Sequence, residues 1–203
     1  RGQNLGNSNN VSTASTLSTD LFWVGGTVDA NAANKGGIYS TGDNDNWSNP
    51  DNWSESTGVY PGTNSCIPTI VDAVVYDANS FTAGFNTSSL DINGSAESVN
   101  FTGVTNAPTF STVGIENLTV AGSYTIGVGM THAFDGNMQF TGASGAGLFA
   151  ITSTGETLAN GVLINAPGVT YSIVDAFLCT GQLGVEDGTL TLAGEVTCDT
   201  LNT

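Results

Sequence analysis

Short apolar segments recur about every 20 residues in the second half of the chain, and this spacing constrains the fold more than any other feature. Alternating apolar and polar residues over three to five positions predict half-buried strands, and the glycine and Asx residues between them supply tight corners. Leu118, Met138, Leu163 and Leu183 follow one another at intervals of 20, 25 and 20 residues. Such a period is typical of one turn of a parallel β-solenoid, in which equivalent side chains stack in continuous rows.

The sequence therefore predicts an all-β protein, a right-handed parallel β-solenoid with a small Trp-rich N-terminal cap. Right-handedness is expected because parallel crossover connections are overwhelmingly right-handed. Helix-forming residues are scarce, which excludes an all-α fold. The alternative is a β-sandwich of antiparallel hairpins, which also contains short strands separated by turn residues.

Composition divides the chain into three predicted regions. Residues 1–20 are polar and aperiodic, which predicts a flexible leader. Residues 21–82 contain all three tryptophans and are predicted to cap the first turn, whose unpaired backbone groups would otherwise promote aggregation. Residues 83–203 are the predicted solenoid. Because the strand pattern reaches the last residue, we expect this solenoid to continue beyond the chain.

The charge balance excludes several classes of partner. The chain has 18 Asp and Glu residues against two basic residues, Arg1 and Lys35, so its net charge is -16. A nucleic-acid partner is excluded because phosphate binding depends on basic side chains. No apolar run approaches the roughly 20 residues of a membrane span. The acidic composition, rich in Thr, Asn and Gly, is typical of an extracellular cell-surface protein, and we expect any export signal to have been removed.

Four motifs in the first 81 residues occur in a characteristic order. They are a W-x-G-G motif in residues 22–26, a W-S-x-P-x-N-W-S block in residues 46–54, a Pro-Gly pair in residues 59–62 and an Asp-led strand in residues 72–81. This order resembles the repeat-initiating segments of large cell-surface adhesins of Bacteroidota. That family is exported by the type IX secretion system and includes gliding-motility adhesins.

The resemblance covers residues 21–203 and carries functional expectations. It implies a non-enzymatic extracellular adhesin or surface-filament segment, the N-terminal part of a larger secreted protein. The implied partners are a surface polysaccharide or an abiotic surface, together with secretion-machinery or outer-membrane proteins. The resemblance supplies no catalytic residue.

The Trp-rich region contains two candidate sites. Trp47 and Trp53 either form a platform on which sugar rings stack or, as we favour, the buried centre of the cap, since Trp buries a large apolar area. Asp43, Asp45 and Asp51 either coordinate Ca²⁺, the only candidate cofactor, or form Asx turns. The Gly and Glu positions of an EF-hand loop are absent.

Cysteine and histidine give few further sites. Cys179 and Cys198 lie 19 residues apart, which predicts neighbouring strands about 4.8 Å apart, so they either form a disulfide or pack as small apolar residues. Three cysteines leave at least one, such as Cys66, without a partner in the chain. His132 is the single histidine, with no second ligand at a suitable spacing, so no zinc site is expected.

Two last expectations concern modification and catalysis. Asp199-Thr200-Leu201 is similar to the Asp-Ser/Thr-aliphatic motif that Bacteroidota use for O-glycosylation, which makes Thr200 a candidate glycosylation site.

A polysaccharide lyase needs a basic residue, and residues 83–203 contain no Lys or Arg. No carboxylate pair recurs on a strand, and Glu186 and Asp187 lie at a predicted corner. We therefore expect no enzyme. The alternatives are a polysaccharide-active β-helix enzyme or a glycan-binding module.

Overall fold

The computed structural model describes residues 19–25, 45–58, 66–142 and 147–202. Strands make up 53% of the residues and helix 2%. The one helix among the described residues is a short 3-10 turn, Pro50–Asn52. The strands are, in chain order, β1 (Thr19–Trp23), β2 (Trp53–Ser54), β3 (Asp72–Val75), β4 (Thr87–Leu90), β5 (Gly94–Ala96), β6 (Ser98–Asn100), β7 (Thr109–Thr112), β8 (Leu118–Val120), β9 (Tyr124–Thr125), β10 (Thr131–Ala133), β11 (Asn137–Phe140), β12 (Leu148–Thr152), β13 (Thr157–Ala159), β14 (Gly161–Ile173), β15 (Phe177–Cys179), β16 (Gln182–Leu192), β17 (Val196–Thr197) and β18 (Thr200–Asn202).

The strands form three faces that the chain visits in turn. Face 1 contains β1, β3, β6, β9, β12 and the C-terminal halves of β14 and β16. Face 2 contains β4, β7 and β10, followed by β13, β15 and β17. Face 3 contains β5, β8, β11, the N-terminal halves of β14 and β16, and β18. Within each sheet, neighbouring strands therefore belong to successive turns, and face 2 consists of two sheets because β10 and β13 do not pair.

This pairing confirms the predicted parallel β-solenoid, which has about 6 turns. Every pair of named strands is parallel except β1 with β2. The alternative β-sandwich is wrong, because antiparallel hairpins would join consecutive strands. No helix among the described residues is long and apolar enough to span a membrane.

In-register stacking builds the core as continuous rows of side chains. Since strand side chains alternate between two faces, one residue in two points inward and meets its equivalents on the turns above and below. From β1 to β14, the inward row of face 1 contains only buried residues, namely Leu21, Val74, Val99, Tyr124, Ile151 and Ile173, whereas Leu192 on the following turn is exposed. At about 25 cal/mol for each Å² of apolar surface removed from water, these rows are the main source of stability.

The predicted row on face 3 was wrong by one residue at one strand. Met138 pairs with Val162, which is buried, whereas Leu163 lies opposite Gln139 and points outward. Val162, Leu163 and Ile164 are all apolar, so the alternating pattern does not show which of them points into the core. A slip of one residue exchanges the two sides of a strand, so only pairing with the neighbouring strand decides which residue is inside.

Several strands of face 2 were not predicted. Their sequences are mainly polar, with single inward residues such as Phe110 in β7 and His132 in β10. Three-residue strands with one apolar or aromatic residue contain too little alternation to distinguish them from loops. The strands form because their neighbours supply the backbone partners.

Two long strands turn a corner without interruption. β14 passes from face 3 to face 1 at Pro167 and Gly168, where Gly168 has a φ of 74°. β16 makes the same turn at Gly188, with a φ of 99°. A Cβ at Gly188 would lie 2.5 Å from the carbonyl oxygen of Ala166. Glycine is required there by both the backbone conformation and the close approach of the adjacent turn.

The three tryptophans form a buried cluster at the N-terminal end. Trp23, Trp47 and Trp53 have no exposed surface. Trp53 contacts both others edge-on, with ring centroids 5.1 Å from Trp23 and 4.7 Å from Trp47. Its indole N–H donates to the carbonyl oxygen of Trp47 at 2.9 Å. On the other side, Trp23 stacks on Tyr76, and Tyr76 stacks on Phe101, so the cluster continues the aromatic row of the solenoid.

The Trp-rich segment is tied into the first turns by backbone pairing and by two carboxylates. β2 pairs with β1 on the edge opposite β3, and this two-residue strand leaves only a short exposed edge. Ser48 donates from its backbone N–H to Asp91 at 2.9 Å, and Thr57 donates to Asp77 at 2.5 Å. The sheet runs without interruption across residue 82. The three-part division stays a prediction, with residues 1–18 outside the described residues.

A chain of polar groups crosses the interior at His132. Its Nδ1 lies 3.0 Å from the carbonyl oxygen of Thr157, which can only accept, so Nδ1 carries the proton. Nε2 therefore accepts from the hydroxyl of Tyr124 at 2.7 Å. Phe110 and Phe134 pack against the imidazole ring. Burial lowers the pKa of His132 to about 4, and the Thr157 carbonyl opposes this shift in part.

Replacing Trp47 with alanine tests the role of the cluster. Removing this buried ring leaves a cavity beside Trp53 and Phe110, so we expect the free energy of unfolding to fall by about 3–5 kcal/mol. Urea denaturation followed by circular dichroism measures the change. Phe22→Ala, at a half-buried outward position of β1, is the control and should cost much less. An unchanged midpoint for Trp47→Ala would contradict a structural role.

His132 predicts a pH-dependent stability. As the pH falls below about 6.5, the unfolded chain binds a proton at this residue, while the folded chain does so only near pH 4. The unfolding free energy should therefore fall by about 2 kcal/mol between pH 7 and pH 5. Denaturation curves at the two pH values test this, with His132→Asn as the comparison. An equal pH dependence in that variant would show that other groups cause it.

Candidate functional site

A concave surface lies on the outward side of face 3. Thr119, Gln139 and Leu163 are in register on β8, β11 and β14, and Gly184 continues the row on β16. They point outward because their neighbours along each strand point into the core. The surface thus crosses the strands and runs parallel to the axis of the solenoid.

This surface forms an open trough of about 400 Å³. The bottom of the trough is formed by backbone where side chains are missing. Gly161 lies between Asn137 and Gln182 on the adjacent strands, and Gly184 pairs with Leu163. A Cβ at Gly161 would lie 2.5 Å from the side-chain oxygen of Asn137, so a side chain there would displace the Asn137 amide. The residues that line the trough are Asn117, Thr119, Asn137, Met138, Gln139, Gly161, Val162, Leu163, Gln182 and Glu186.

An asparagine ladder forms one side of the trough. The side-chain oxygen of Asn93 accepts from the backbone N–H of Asn117 at 2.9 Å, and that of Asn117 accepts from the N–H of Asn137 at 3.0 Å. Each amide thereby pairs a corner N–H of the next turn, which would otherwise lack a strand partner. The ladder fixes the amide side chains in position and leaves their NH₂ groups able to donate to a ligand.

A bulge in β16 places the one carboxylate of the trough. Ile164 pairs with Val185 and Asn165 pairs with Asp187, so Glu186 is the extra residue between them. Bulges redirect side chains and often lie beside binding sites. The side-chain NH₂ of Asn165 donates to one oxygen of Glu186 at 2.9 Å. The corner predicted at Glu186 and Asp187 lies directly after them, at Gly188, because β16 continues through both residues before it turns.

The chemistry of the trough suits a polyhydroxylated ligand. Amide and hydroxyl groups can both donate and accept, Leu163 offers an apolar contact, and Glu186 offers a charged acceptor. Arg1 and Lys35 both lie outside the described residues, so the described part of the chain has no Lys or Arg side chain. With the single histidine buried and neutral, all the formal side-chain charges on the described surface are negative.

The tryptophan platform considered from the sequence is wrong for this structure. The rings of Trp47 and Trp53 have no exposed surface and are covered by Trp23 and Phe110. A sugar ring cannot stack on a face that is already packed against protein. The favoured interpretation, a buried apolar centre, agrees with this burial.

The proposed calcium ligands are only partly described. Asp43 lies outside the described residues. The backbone carbonyl of Asp45 accepts from the N–H of Ser89, and the N–H of Asp51 bonds the side-chain oxygen of Asn49, as expected for an Asx turn. Over the described ranges, no group of three or more His, Cys, Asp or Glu residues could hold a metal ion. Calcium binding here stays a prediction.

The predicted cysteine pair lies as expected, on neighbouring strands. Phe177 pairs with Val196, so Cys179 and Cys198 occupy adjacent positions of β15 and the following turn. Both are free thiols in this structure, so the disulfide is not formed, and Cys66 is a free exposed thiol. Burial, followed by the proximity of Cys198, raises the pKa of Cys179 to about 11, which keeps it protonated and unreactive.

Thr200 lies on β18 with an exposed side chain. It pairs with Gln182, which places it at the end of the row that contains Asn137 and Gly161. This position is accessible to a modifying enzyme, and glycosylation there stays a prediction.

No sequence pattern points to the residues of the trough as a site. Gln139, Leu163 and Glu186 lie on three different strands, and no local motif connects them. Met138, Val162 and Leu183 pair with one another at separations of 24 and 21 residues. Once this register is known, Gln139, Leu163 and Glu186 fall on one surface. Comparison with protein-family models, curated proteins and solved structures found no match to this chain.

The ladder predicts a graded effect at Asn117. Asn117→Ala removes the acceptor for the N–H of Asn137 and should lower the unfolding free energy by about 1 kcal/mol. Asn117→Asp keeps an acceptor oxygen and should retain most of that stability. Urea denaturation of both variants measures the difference. Equal losses would mean that the side-chain oxygen does not stabilise this corner.

Proposed function

We propose that this protein is a non-enzymatic, extracellular adhesive segment that binds polysaccharide through the trough on face 3. The observation that carries the proposal is a trough with amide, hydroxyl and apolar groups that runs across in-register strands. A linear polymer lying along the axis would meet one outward position on each successive turn, about 4.8 Å apart, and these positions offer hydroxyl, amide and apolar groups in order. Many weak, repeated contacts suit adhesion to a polymer or surface.

The composition of the trough favours binding over catalysis. Hydrolysis of a glycosidic bond uses two carboxyl groups placed on either side of the bond, and Glu186 is the one carboxylate among the lining residues. Polysaccharide lyases use a basic residue, and the described residues include no Lys or Arg. A polysaccharide-active enzyme is the alternative that the experiment below also tests.

The surface role and the export route are part of the same proposal. The motif order in residues 22–81, with its resemblance to type IX-secreted adhesins, supports a position on the cell surface. A net charge of -16 disfavours contact with nucleic acid or with anionic membranes, and suits a hydrated surface. A rigid stack of turns would present the trough away from its attachment point.

Binding of the purified chain to insoluble polysaccharides tests the proposal. Gln139→Ala removes an amide at the centre of the trough and should weaken binding about fivefold, the effect of one hydrogen bond. Thr125→Ala, on the outward side of face 1, is the matched control and should bind as the unchanged protein does. Co-sedimentation gives the affinities. Equal binding by both variants would exclude the trough, and release of soluble sugar would instead indicate an enzyme.

A further inference from the structure

We propose that the trough selects polysaccharides that carry protonated amino groups, such as partly deacetylated aminosugar polymers. This inference rests on the proposed function and names the class of ligand for the same surface. It follows from three features of the described residues: the placement of Glu186, the charge of the molecule, and the neutral groups that line the rest of the trough.

Glu186 is positioned to accept a cationic hydrogen-bond donor. The bulge in β16 places it among the residues that line the trough, beyond the pair Ile164–Val185. Asn165 occupies one carboxylate oxygen through a 2.9 Å bond, and this leaves hydrogen-bonding capacity on the carboxylate. An ammonium group would pair with this carboxylate through a charge-assisted bond, which is stronger than a bond to a hydroxyl.

The charge of the whole molecule favours the same ligand. Of the 18 Asp and Glu residues, all but Asp29 and Asp43 lie in the described part of the chain, which leaves 16 carboxylates there. The same part holds no Lys or Arg to offset them. Such a field concentrates cations near the surface and repels anionic sugars such as uronates. Neutral polysaccharides would gain nothing from it.

The remaining lining groups suit the other parts of an aminosugar. Asn117, Gln139 and Gln182 provide donors and acceptors for ring hydroxyls, and Leu163 provides an apolar contact for the C–H groups of a sugar ring. No aromatic side chain lines the trough, so recognition depends on hydrogen bonds and charge. The missing side chains at Gly161 and Gly184 allow the polymer to approach the sheet closely.

The test compares two probes of equal length: an oligosaccharide of β-1,4-linked glucosamine and its fully N-acetylated counterpart. Isothermal titration with the full chain at pH 6, where the free amines are protonated, should give tighter binding of the glucosamine probe. Glu186→Gln should weaken that binding about three- to fivefold at low salt and leave the N-acetylated probe unchanged. Glu195→Gln, an exposed carboxylate outside the trough, is the matched control for net charge.

The outcomes separate this inference from the proposed function. Selective loss of glucosamine binding in Glu186→Gln, with little change in Glu195→Gln, supports the inference. Equal losses in both variants would indicate non-specific attraction and overturn it. If both probes bind equally and both depend on Gln139, the inference fails while the proposed function stands. If neither probe nor any insoluble polysaccharide binds, both fail.

Discussion

In-register stacking of parallel turns is the constraint on which the rest of this structure depends. A turn of about 20 residues has too few apolar side chains to bury its own inward face, so each turn is stable only against its neighbours. Parallel pairing aligns equivalent positions, and rows such as Val99, Tyr124 and Ile151 then fill the interior. At the N-terminal end of the described stack, Trp23 continues the aromatic row through Tyr76. Burial of three large rings there adds a large apolar area to the core.

The same register organises the outer surface. Asparagines at equivalent corners form a ladder because each turn presents its N–H to the turn before it. The candidate binding surface arises where the repetition is interrupted. Gly161 and Gly184 remove side chains from two neighbouring strands, and the extra residue Glu186 adds a carboxylate at a bulge. A regular solenoid would have a flat face at this position. The irregularities therefore have the clearest functional interpretation.

Charge and burial divide the polar residues into two groups with different roles. The imidazole of His132 is neutral in the interior because burial disfavours its charged form, and its two ring nitrogens are bonded to Tyr124 and Thr157. It stabilises the stack and offers no chemistry to solvent. The carboxylate Glu186 lies at the surface in a strongly negative field, where it can bind an incoming cation. In the proposed function, recognition depends on the outer rows, whereas the inner rows supply most of the apolar burial.

The sequence by itself determined the class of fold, because the 20-residue period and the alternating strands fit only stacked or paired β structure. It also favoured burial of the tryptophans over a sugar-binding platform because of their size, and the period predicted the adjacent positions of Cys179 and Cys198. The tertiary structure decided which residues of each strand point into the core. Val162, Leu163 and Ile164 are all apolar, and only the pairing of Val162 with Met138 shows that Leu163 points outward. The trough could not be predicted because its residues come from four turns, and their proximity depends on register that no local pattern encodes.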